Sequence, residues 1–126
     1  ALPADQQAAA YTQAGQDYLN QGLVLEAERE FQSALEADPK SSAAHLGLAM
    51  VRERSGNAED ARKEAQASLT GKPNAAAYLV MARLDISANQ NASAASNVGN
   101  ALRLEPQNGA ALALKTLLAG RGVSIP

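Results

Sequence analysis

The chain has 126 residues, a formal net charge of −2 and no cysteine, which fits a single domain and excludes disulfides and thiolate metal sites. Hydrophobic residues make up 46% but aromatics only 3%, so small side chains supply much of the apolar surface and a thin core, spread along the chain, is expected. Lys and Arg are scattered, leaving no basic patch for nucleic acid or anionic lipid, and no apolar run approaches the roughly 20 residues of a membrane span.

The sequence opens "ALPADQQ" on Ala1 rather than Met. This suits a chain processed or excised from something longer, whether by removal of an export signal or by a cut between domains. Seven helices are expected in order, over 5–20, 24–37, 42–55, 58–70, 75–88, 91–104 and 109–119. The first two carry Ala14 and Tyr18, then Ala27, Phe31, Ala34 and Leu35, at the three-and-four spacing of one buried stripe. Asp5, Ser41 or Ser42, Asn57, Asn74 and Asn108 precede helical runs and can cap them.

What separates the helices is periodic. Pro39, Pro73 and Pro106 lie 34 and 33 residues apart, and proline cannot continue a helix. Gly22, Gly56 and Asn89 keep the same two intervals; these residue types tolerate the left-handed conformation that ends a helix. The unit is therefore helix, tight turn, helix, proline turn, given three times. Its small residues, Gly15, Ala49 and Ala82 on first helices and Ala27, Ala61 and Ala94 on second helices, allow close approach, with Tyr11 and Phe31 filling the larger gaps.

This pattern resembles the tetratricopeptide repeat, whose signature is W-x2-L-G-x2-Y, A-x3-F and P over 34 residues. Tyr11, Ala14, Gly15, Tyr18, Ala27, Phe31, Ala34 and Pro39 carry the match in the first repeat. His45, Leu48, Ala49, Arg52, Ala61, Ala65, Ser68 and Pro73 follow more loosely in the second. Tyr78, Met81, Ala82, Asp85, Ala94, Val98, Ala101 and Pro106 complete the third. The resemblance implies an all-α, right-handed α-solenoid: an N-terminal tail (1–7), three repeats (8–41, 42–74, 75–108), a capping helix (109–120) and a C-terminal tail (121–126). Leu114 and Leu118 are expected to seal the open face of the third repeat. Arg52 and Asp85 replace Tyr18 in its slot and are expected to pair with each other or to point outward. The helix "NASAASNVGNALRL" is rich in poor helix formers, which makes the third repeat the expected soft end.

Nothing points to catalysis. His45, the one histidine, has no cysteine or second histidine to join it and reads as a packing residue. The acidic runs "EAERE" and "AED" read as solvated faces, no phosphate-binding glycine loop is present, and Asn91-Ala92-Ser93 is a short pattern that chance readily supplies. No cofactor and no metal site is expected, and the chain is not expected to be an enzyme.

The resemblance implies instead a scaffold that holds a peptide or helix of a protein partner on the inner face of its first helices. Carried over, the groove positions are Thr12, Gln16, Leu19 and Asn20, then Leu46, Met50 and Arg54, then Leu79, Arg83 and Ile86, with Glu53 and Ser87 beside them. Relatives that grip a chaperone's carboxylate tail use a lysine-and-asparagine clamp. The matching slots here hold Thr12, Gln16, Gly47, Ala76 and Val80, none of them lysine, so an apolar peptide or amphipathic helix bearing an acid or two is the expected ligand, with Arg54 and Arg83 taking the acid. The alternative is a structural or self-association module of a larger, exported bacterial protein, homo-oligomeric, in which "GRGVSIP" helps to fill the groove. The alanine-rich style suits a bacterial protein of cytoplasm or periplasm.

Overall fold

A computed structural model describes residues 2–126. Among these there are seven α-helices and no strand: α1 Ala4–Asn20, α2 Val24–Ala37, α3 Ser42–Arg54, α4 Ala58–Gly71, α5 Ala75–Ser87, α6 Asn91–Leu104 and α7 Gly109–Gly120. Each boundary falls within one residue of its expected place, because each is set by local chemistry. Side chains of Ser41, Asn57, Asn74 and Asn108 accept hydrogen bonds from backbone N–H groups three residues on, at Ala44, Asp60, Ala77 and Ala111. Asp5 is a correction. Pro3 stands at the cap of α1 and offers no side-chain bond, so Asp5 lies inside the first turn, where its charge favours the helix N-terminus.

Gly22, Gly56 and Asn89 take positive φ of 78°, 76° and 59°. Each turn closes with the same bond, from Leu23 N–H to Tyr18 O, Asn57 N–H to Arg52 O, and Gln90 N–H to Asp85 O. A fourth member was missed in the sequence. Gly122 (φ 78°) lies 33 residues beyond Asn89, and Val123 N–H bonds to Leu118 O. Thus α7 ends as the first helix of a repeat ends.

The helices form two compact units, residues 1–73 and 74–126. In the first, α1 pairs with α2 and α3 with α4, while α3 also packs on α1 and α2. Its core is Phe31, fully buried with Leu19, Ala27, Leu48 and Val51. Two glycines make room for the ring. A Cβ on Gly15 would stand 2.6 Å from Phe31 Cε1, and one on Gly47 would overlap the same ring still further. Tyr11 is a second correction: it is 42% exposed and fills no gap. Arg52 pairs with Glu28 on α2 at 2.9 Å rather than with Asp85.

In the second unit α6 packs against both α5 and α7. Its core comprises Ala82, Ala94, Ala95, Val98 and Leu118, with a second cluster of Ala75, Leu79, Ala101 and Ala111. Leu118 is fully buried and Leu114 packs against both clusters. Asp85 is 2% exposed, and its Oδ2 accepts from Ser93 Oγ and Asn97 Nδ2, each at 2.8 Å. The Ser and Asn of α6 therefore have a purpose beyond helix propensity: one turn apart, they hold a buried carboxylate.

Candidate functional site: the groove between α1 and α3

The first helices of the first two hairpins, α1 and α3, leave between them a groove of about 340 Å³. α1 contributes Asp5, Ala9, Thr12, Gln13 and Gln16, and α3 contributes Ala43, Leu46 and Gly47, with its cap Ser41. On α1 these residues recur at three- and four-residue steps, the period of one helical face. Three of the expected residues, Thr12, Gln16 and Leu46, meet here. Asp5, Ala9, Gln13 and Ala43 were not anticipated, although stepping back along α1 from Thr12 by three and seven would have reached Ala9 and Asp5.

The other expected residues divide differently. Leu19 is fully buried in the Phe31 cluster and cannot line a groove. Met50 is half-buried and packs on that cluster. Asn20 is exposed and accepts a hydrogen bond from Gln16 Nε2 at 2.9 Å. Arg54 is exposed, and its Nη1 donates to the Leu19 carbonyl at 2.8 Å, tying α3 to the end of α1. In the second unit Leu79 is 4% exposed and belongs to the core. Ile86 is half-buried on the Ala82–Val98–Leu118 cluster, and Arg83 is half-buried. Of the clamp slots, Val80 is fully buried, whereas Gly47 lines the groove and also makes room for the Phe31 ring.

The lining is nearly neutral. Among the described lining residues Asp5 is the one charged side chain, and none is lysine or arginine. Thr12 Oγ1 is buried and meets no hydrogen-bond partner among the described protein groups.

His45 stands apart from the groove lining. Nδ1 is 3.0 Å from Glu64 Oε2 and Nε2 is 3.0 Å from the Pro39 carbonyl. A general base needs a ring nitrogen open to substrate; here each ring nitrogen faces an oxygen acceptor, to one of which the ring donates its N–H, and the ring braces α3 against α4 and the preceding turn. Among the described residues no group of three or more His, Cys, Asp or Glu could hold a metal, and no helix is long and apolar enough to cross a membrane.

Comparison with known proteins gives the context. The family model for the tetratricopeptide repeat matches residues 12–76, just over half of the chain. No curated protein matches. A solved structure of Pseudomonas aeruginosa pilF is similar with a TM-score of 0.85 at 24% identity, over 94% of this chain and 55% of that one; the chain thus spans little more than half of that relative. The first TPR of Spaghetti (RPAP3), bound to the HSP90 peptide SRMEEVD, gives 0.83 at 20% identity, over 95% and 96% of the two chains. The second TPR domain of human RPAP3, in complex with the HSP70 peptide SGPTIEEVD, gives 0.79 at 17% identity, over 92% and 98%. At these identities the likeness carries the fold. Matched by the family model across the first two hairpins and by solved TPR domains across nearly its whole length, the chain belongs to the tetratricopeptide repeat family.

Proposed function

We propose that this chain is a protein-interaction module that holds an extended or helical segment of a partner in the α1–α3 groove. The observation that carries the reading is the convergence of Thr12, Gln16 and Leu46 on one groove. The peptide-bound RPAP3 domains support it by showing that the fold can serve this purpose. The chemistry of the partner differs from theirs. An acidic chain end needs cationic donors for charge-assisted hydrogen bonds; this groove offers none and carries Asp5 instead. Arg54, an expected receptor for acid, is not among the residues that line this groove. The partner segment is therefore neutral or cationic, with an apolar side chain over Leu46 and Ala43 and amide groups toward Gln13 and Gln16.

Fluorescence anisotropy with three labelled peptides tests this: SRMEEVD, a neutral amphipathic helix, and the same helix with a lysine near one end. Binding should rise in that order, and Asp5→Asn should remove the advantage of the lysine peptide. Preferential binding of SRMEEVD would overturn the reading. So would binding of the helices that Leu46→Asp leaves unchanged.

A further inference from the structure

The fourth turn, at Gly122, is followed by a segment that packs on the second unit's own core. After Gly22, Gly56 and Asn89 a second helix starts within two residues, at Val24, Ala58 and Asn91. After Gly122 the chain runs without helix to Pro126. Val123 and Ile125 are half-buried while Ser124 and Pro126 are exposed, the alternation of an extended segment with one side against a surface. That surface is the second unit's own cluster around Val98 and Leu118.

Two departures from the repeat accommodate it. The slot filled by Gly15, Ala49 and Ala82 on the earlier first helices falls on Lys115 in α7. A second helix approaches closely where the residue is small; a lysine keeps it away. On the second helices, the residue after Phe31, Ala65 and Val98 is Gln32, Gln66 and Gly99. Both glutamines are exposed, whereas Gly99 is buried. A Cβ at Gly99 would lie 3.4 Å from Ile125 Cγ2 and 3.9 Å from Pro126 Cδ. Glycine is a poor helix former, and here it stands where the segment crosses α6. Arg121 Nη1, bonded to Asn91 Oδ1 at 3.0 Å, ties the start of the segment to the same helix.

We propose that the α6–α7 face is a binding site for an extended apolar segment with branched side chains two residues apart, and that Val123–Pro126 is its resident ligand. The site is independent of the α1–α3 groove and of any partner held there.

The full chain tests this through a spin label. The sequence has no cysteine, so Ser124→Cys, at an exposed position, takes the label uniquely. The label should be restrained when this is the sole change and become mobile when Gly99→Gln restores the residue found at positions 32 and 66. Ile125→Ser should free it to the same extent, with helical circular dichroism unchanged in both. Gly99→Ala, whose methyl meets Ile125 at ordinary contact distance, should leave it restrained. The vacated site in the Ile125→Ser chain should then bind a labelled Gly-Val-Ser-Ile-Pro peptide at least tenfold more tightly than the unsubstituted chain, whose site is filled. A label equally mobile in every variant would overturn the proposal, and so would a freed face that binds the peptide no better than the occupied one.

Discussion

In the α1–α2 hairpin the space between paired helices is taken by one aromatic ring; in the α5–α6 hairpin the matching space holds Val98 and a buried carboxylate. Phe31 fits because Gly15 and Gly47 remove the Cβ atoms that would meet its ring. Asp85 fits because Ser93 and Asn97 reach it from the neighbouring helix. One hairpin period thus supports two kinds of interior, apolar volume against backbone or a satisfied polar network. The difference shows which positions tolerate change. A ring bedded on glycine is intolerant of added atoms, whereas a polar network is intolerant of lost partners.

The largest effect should come from removing the ring. Phe31→Ala should cost about 3–5 kcal/mol, and hydrogen exchange should show the loss in residues 2–73 before residues 74–126. Equal loss in both units would break the distinction between them. Asp85→Ala should cost roughly 1–3 kcal/mol by leaving Ser93 and Asn97 without their acceptor, and a double-mutant cycle with Asn97→Ala should show coupling between the two sites.

Glycine to alanine sharpens the contrast because its sign should reverse. Gly47→Ala drives a methyl into the Phe31 ring and should destabilise by about 1–3 kcal/mol, the usual range for overpacking. Gly99→Ala places its methyl at ordinary contact distance and should gain about 0.5–1 kcal/mol from helix propensity. Denaturant midpoints of the two variants, read against the unsubstituted chain, decide the matter. The smallest effect belongs to Arg52 and Glu28, each about a quarter exposed. A double-mutant cycle should give less than about 1 kcal/mol; a larger value would mean that the α2–α3 contact depends on this ion pair.

The helices and their turns were legible in the sequence because proline, glycine, asparagine and the capping side chains act within a few residues of themselves. Pro39, Gly56 and Asn74 mean the same thing in a short peptide as in the folded chain. The family followed from their period. Which side chains face a groove was not legible, because a helix has several faces and only its neighbours select among them. Leu19 and Leu46 read alike as apolar residues on first helices, yet one is sealed beneath Phe31 and the other lines the α1–α3 groove. Asp85 reads in the sequence as a partner of Arg52 or an outward charge, whereas Ser93 and Asn97 stand 2.8 Å from it. Gly99 looked like a weakness in α6 until Ile125 lay over it. Punctuation is local and is written in the chain, whereas burial is a property of pairs distant in sequence, and only the tertiary structure decides it.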